Sequence, residues 1–236
     1  MNETSDDLEI EYRFGFETGR SWRYQLKLDP LTLAQRLTQR ESYPSWARLP
    51  FHQCTNCPLT PASTPRCPAA VALVELVETA GTLISHDRVQ VEVHTPDRIV
   101  STGTTLQRGL SSLVGLVLAT SGCPHAAFFR PMARFHLPLA DEHETVYRAA
   151  SMYLLAQYFV HREGRKADLS LSGLNAIYND VQIINRALVG RLRVACEQDG
   201  PVNAVILLDV VAKALPFSIG GELGELRHLF GAYLVS

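Results

Sequence analysis

Residues 8–14 (LEIEYRF) alternate apolar and polar side chains, the two-residue period of a half-buried strand. Residues 22–28 (WRYQLKL) repeat the pattern, and the intervening FETGRS carries Gly19, so the pair predicts a β-hairpin. Asp29-Pro30 then predicts a short amphipathic helix with Leu31, Leu33 and Leu37 on its apolar side, proline suiting a first turn. Residues 43–68 hold six prolines, a density that forbids regular helix or central strand. Apolar positions 71, 73, 74, 76, 77, 80, 83 and 84 predict a helix over 68–84. RVQVEVH at 88–94 predicts a third strand, Thr95-Pro96-Asp97 a turn, and 98–102 a fourth strand. A helix is expected from Thr104 to Thr120, stopped by Gly122, and extended chain over 128–138, where two prolines oppose helix. Helices are then expected over 141–162, 172–198, 201–214 and 219–234. Asp141 with Glu144 forms a capping box, and Pro201 stands at a first helical position. The stretch 149–160 (AASMYLLAQYFV) is apolar nearly all round, which predicts a place at the centre of the bundle.

These elements describe an α+β fold, with a small antiparallel sheet from two β-hairpins packed on a mostly helical C-terminal bundle. The chain has 236 residues, 46 % of them hydrophobic and 19 % charged, enough apolar material for a sizeable core. Its net charge of −2 argues against a strongly basic nucleic-acid binder and gives no reason to invoke an acidic membrane surface. The start MNETSDDLEIEY lacks the basic and apolar regions of a secretory signal, and no apolar stretch approaches the ~20 residues that cross a bilayer. The expectation is a cytoplasmic protein with no nucleic-acid or membrane partner and an unknown redox or protein partner. In a reducing cytosol, clustered cysteines point to metal ligation or redox chemistry rather than structural disulfides.

Four of the five cysteines fall in a pattern. Cys54 and Cys57 form a C-x2-C, Cys67 follows, and Cys123 comes much later; Cys57, Cys67 and Cys123 are each followed by proline. A C-x2-C lets one turn present two thiolates to one metal, and proline after a ligand fixes the chain's exit. Cys67 precedes a helix, so its thiolate would sit at the positive end of the macrodipole, which favours ionisation. Cys123 follows a helix stop. A zinc ribbon normally carries two C-x2-C knuckles, and this chain has one. One pair with two dispersed Cys-Pro steps points to an iron–sulfur cluster of the [4Fe–4S] type, with structural zinc, metal-free thiols and a redox disulfide as alternatives. His52 and His125 flank the cysteines and could replace one as ligand. Cys196 lacks the proline context and reads as a packing residue in mid-helix.

Arg134 and His136 would share one face of an extended 132–137 segment and could hold an anionic substrate near the metal. Gln107 is a third candidate, although Thr104-x-x-Gln107 reads more simply as a capping box. Glu144 and Arg148 form an i,i+4 pair, as do Asp209 and Lys213. Tyr153 and Gln157 would make a buried hydrogen bond between helices or line a cavity. There is no G-x-x-x-x-G-K-[ST], G-x-G-x-x-G, G-x-S-x-G or H-E-x-x-H. Three functions remain in view: an iron–sulfur redox or redox-sensing protein, a zinc-stapled binding or adaptor module, and a metal-dependent enzyme acting on a small anionic substrate.

The run FHQCTNCPL … RCPAA … TTLQRGLSSLVGLVLATSGCPH … RPMARFHLP … SMYLLAQYF resembles an uncharacterised family of bacterial proteins. That family joins an N-terminal β-hairpin segment to a cysteine-bearing helical part. The resemblance implies a bacterial cytosolic protein in which Cys54, Cys57, Cys67 and Cys123 act as one unit, and it brings no activity. A metal shared by residues 54 and 123 would make the chain one interlocked domain. Its parts would be an N-terminal hairpin and helix (1–42), a cysteine-bearing segment with the second hairpin (43–140) and a helical bundle (141–236).

Overall fold

The computed structural model describes residues 7–221 and 223–234. Strands β1 (Leu8–Phe16), β2 (Ser21–Leu28), β3 (Arg88–Thr95) and β4 (Arg98–Thr105) form one antiparallel sheet in the order β2-β1-β3-β4. The two hairpins join through β1 and β3, with Tyr12 opposite Val93 and Phe14 opposite Val91. Gly19 takes φ +80° in the first hairpin turn, a conformation open to glycine at no steric cost. Alternation puts Ile10, Tyr12, Phe14, Tyr24, Leu26, Leu28, Val89, Val91 and Val93 on one buried face. The opposite face carries exposed pairs such as Arg13–Glu11 and Lys27–Glu9, each worth little.

Helices α1 (Pro68–Ala80) and α2 (Leu106–Thr120) cover the buried face of the sheet. The helices that follow are α3 (Arg130–Arg134), α4 (Glu142–Arg162), α5 (Ser172–Ala195), α6 (Gly200–Gly221) and α7 (Gly231–Leu234). Gly109 lets α2 approach the sheet: a Cβ there would stand 2.6 Å from Phe14 and 2.9 Å from Val91. A second apolar cluster joins α4, α5 and α6 through Val146, Ala149, Tyr153, Leu174, Tyr178 and Ala212. No helix among the described residues is long and apolar enough to cross a membrane.

The α+β architecture matches the reading of the sequence, and several local expectations are corrected. Residues 30–37 form no helix. The Asp29 carboxylate accepts from the N–H groups of Leu31 and Thr32, closing a turn, and the chain then bridges back from Gln35 to Leu28. Strand β4 continues to Thr105, so the expected Thr104–Gln107 capping box does not form. The 128–138 segment is largely helical rather than extended: a 3-10 turn over Ala126–Phe129 leads into α3, with Pro131 in its first turn, where proline is tolerated.

Helix α4 does not lie at the centre. Val146, Ala149, Ala150 and Tyr153 are buried, while Leu155, Tyr158 and Phe159 are more than half exposed. The central position belongs to α2, where Leu106, Leu110, Leu113, Val114 and Val117 are fully buried between the sheet and α6. The helix expected over 219–234 is divided: α6 ends at Gly221, a 3-10 segment runs over Glu225–Phe230, and α7 follows. Residue 222 lies outside the described residues. Glu144 and Arg148 form no ion pair, because Glu144 accepts from the Asp141 N–H in the expected capping box. Asp209 and Lys213 do pair, at 2.6 Å. Tyr153 and Gln157 bond to Asp168 in the connection that follows α4, not to another helix.

Core truncation separates the two parts of this picture. Leu113→Ala, at a fully buried position of α2, is expected to cost about 2–5 kcal/mol in urea unfolding. Leu31→Ala, at a side chain 90 % exposed, should stay within about 0.5 kcal/mol of the parent.

Candidate functional site

Cys54, Cys57, Cys67 and Cys123 line one cavity of about 20 Å3, together with Pro68, His125, Ile184, Leu188 and Arg191. Three segments supply the thiols. Cys54 and Cys57 lie on the proline-rich loop, where the Cys57 N–H donates to the Cys54 carbonyl. Cys67 is the N-cap of α1, with Pro68 at its first turn. Cys123 follows Gly122, whose φ of +82° turns the chain sharply after α2. The N–H groups of His125 and Ala126 point at the Cys123 sulfur.

The loop is tied in from several sides. Residues 48 and 66 form a bridge, and the Cys67 N–H donates to the Ala47 carbonyl. His125 donates through Nε2 to the Asn56 carbonyl at 2.8 Å, and its Nδ1 lies 3.3 Å from Asp180 of α5. Asn56, between the paired cysteines, donates to Asp180 as well. With both ring nitrogens so placed, His125 positions the C-x2-C loop rather than supplying a ligand. His52 does not line the cavity; its ring packs over Gly190, where a Cβ would stand 2.8 Å from it.

Arg191 is the residue that the sequence reading missed. It is 1 % exposed, and its guanidinium donates to the carbonyls of Trp46, Arg48 and Leu49, with contacts of 2.5 to 3.0 Å. No carboxylate among the described residues lies within ion-pair distance of it. The ionisable groups close enough to act on its charge are the thiols of Cys67, Cys54 and Cys57, which would do so as thiolates. A signal was available: Arg191 continues the apolar stripe Ile184–Leu188 at helical spacing, and a charge in that register demands a partner.

Burial pushes the Cys54 thiol up to about 12 and raises that of Cys123, so both are neutral thiols when nothing is bound to them. No cysteine is in a disulfide. Among the described residues, no group of three or more His, Cys, Asp or Glu is placed so as to hold a metal ion as it stands. Cys196 caps the C-terminal end of α5, outside the cavity; it is not in mid-helix, but it does pack against the core.

The other three candidates do not join the cysteines. Arg134 is exposed and stacks over Phe135. Gln107 lies in the first turn of α2 and lines neither this cavity nor the next. His136 borders a second, larger cavity and bonds to the Tyr12 hydroxyl at 2.6 Å, which also contacts Ser112. Arg134 and His136 therefore share no extended face.

A family model described as a domain of unknown function (DUF6901) matches residues 10–231. The chain belongs to that family. The matched span of DUF6901 includes all four cysteines, Arg191, the second hairpin and all but the first two residues of the first. No curated protein and no solved structure matches the chain.

Burial, with the nearby Arg148 charge, lowers the His136 pKa to about 3, from an ordinary value near 6.5. A lowered value means that the unfolded chain takes up a proton which the folded one refuses. The stabilisation is complete above about pH 6.5 and is lost as pH falls towards about 3. Urea midpoints measured at pH 7 and pH 4.5 should show this loss, and His136→Gln should shrink the difference.

Proposed function

We propose that the chain is an iron–sulfur protein of electron transfer or redox sensing, with Cys54, Cys57, Cys67 and Cys123 ligating a [4Fe–4S] cluster. The observation that carries this reading is the gathering of four thiols from three separate segments around one cavity. Chance burial of unrelated cysteines gives no reason for such convergence.

Charge supports it. A buried guanidinium without a carboxylate partner is costly, and neutral thiols do not offset it. Four thiolates around an iron–sulfur core carry net negative charge and would supply the counter-charge beside Arg191. The distance between the sulfurs would tell a cluster from a single ion. Metal–sulfur bonds of about 2.3 Å around one zinc hold the four sulfurs within ~4 Å of one another. A cubane cluster binds each thiolate to a different iron and so spreads them more widely. The four thiols line a common space. A reducing, cytoplasmic setting follows from the same chemistry. A zinc staple that pins the loop to α1, α2 and α5 is the alternative.

Protein purified without oxygen should be brown, absorb broadly near ~400 nm, and yield about four irons and four acid-labile sulfides per chain. Cys67→Ser and Cys123→Ser should each lose the metal while Cys196→Ser keeps it. A colourless protein with one equivalent of zinc would replace the cluster by the staple. Metal-free protein after anaerobic iron and sulfide reconstitution would end both readings.

A further inference from the structure

A second cavity, of about 590 Å3, lies among α2, α3, α4, α5 and α6. Its size falls in the range of small-molecule sites. Its walls are mostly aliphatic and aromatic: Leu116, Ala119, Phe129, Val181, Leu207 and Leu215 are among them. Such a volume inside a bundle forgoes the dispersion contacts that close packing would give, so an apolar occupant would gain what the walls lack.

The polar groups of this wall are gathered. Arg148 projects from α4; its Nη2 donates to the carbonyls of Met132 and Phe135 at 3.0 and 3.1 Å and its Nη1 to that of Leu137 at 3.5 Å, which leaves Nε–H and one Nη1–H for a ligand. No carboxylate among the described residues lies within ion-pair distance of it. The Arg148 charge is felt by both His136 and Tyr178, which line the cavity too. Burial keeps that imidazole uncharged at neutral pH and raises the Tyr178 hydroxyl, so Arg148 is the one cation of this group. Asp141 and Glu142 border the cavity in the first turn of α4, roughly 9 Å along the helix from Arg148. Asp141 is engaged there, accepting from the Glu144 N–H. Arg108 borders the cavity from the exposed side of α2.

We propose that this cavity binds a long-chain carboxylic acid, with the hydrocarbon chain against the aliphatic wall of α2 and α6 and the carboxylate against Arg148 and the Tyr178 hydroxyl. Guanidinium and carboxylate match in charge, through the N–H groups that the three carbonyls leave free, and the chain matches the apolar walls. The inference stands apart from the metal reading, although Ala69 and Ile184 border both cavities.

Calorimetric titration of delipidated full-length protein with dodecanoic, tetradecanoic and hexadecanoic acids, and with the matching primary alcohols, tests it. One saturable site is expected, with affinity rising about fourfold per added methylene until the cavity is full. Each acid should bind about tenfold or more tightly than its alcohol, because only the acid forms the charge-assisted bond. Arg148→Met should abolish that advantage yet still bind the alcohol, and Leu207→Trp should block both. The wild-type acid-to-alcohol ratio decides the case even where Arg148→Met fails to fold. Absence of saturable acid binding, equal affinity for acid and alcohol, or binding untouched by Leu207→Trp would overturn the proposal.

Discussion

The buried guanidinium of Arg191 fixes the geometry on which the cysteine cavity depends. A loop with six prolines makes few ladder bonds of its own, so its carbonyls need partners from elsewhere. Arg191 satisfies three of them in one stroke, at Trp46, Arg48 and Leu49. These bonds set the loop against α5, and the Cys67 N–H, donating to the Ala47 carbonyl, extends the order to the start of α1. Asp180, one side of α5 further up, does the same for the C-x2-C turn through Asn56 and His125. The thiols are thus carried on irregular backbone, but every segment that carries them is anchored to a helix.

The remaining wall of the site follows from how α2 meets the sheet. Gly109 allows a close approach over Phe14 and Val91, and the fully buried leucines of α2 hold it there. The helix therefore ends at a defined point, where Gly122 turns the chain and Cys123 enters the cavity. A sheet that lines no part of that cavity still decides where the last thiol stands.

Much of this was legible in the residues. Period-two alternation marked three of the four strands, the turn at 95–97 marked the fourth, and Cys-Pro steps marked three of the four thiols that come together. What was not legible required knowing neighbours. Residues 30–37 carry helix-like leucines, yet the Asp29 side chain captures the next N–H groups and the chain turns instead. The segment 149–160 is apolar enough for the centre, but apolarity states a preference and not which helix satisfies it; α2 takes the place and α4 keeps an exposed face. Arg134 and His136 separate because α3 winds their segment into a helical turn that leaves one outside and carries the other towards Tyr12. Arg191 itself is a single charge within an apolar stripe, and only the carbonyls that it reaches, some 145 positions earlier, explain it.

That sequence separation has a consequence for how the molecule comes into being. Closing so long a loop costs entropy before any contact repays it, and such pairings form late in folding. The hairpins and α2 can assemble from nearer neighbours, whereas the cysteine cavity waits for α5. Until then the thiols are open to oxidants and stray metals. Afterwards the cavity encloses them, and burial raises the thiols of Cys54 and Cys123. The chain thus passes through an interval of chemical vulnerability that ends only when its last wall arrives.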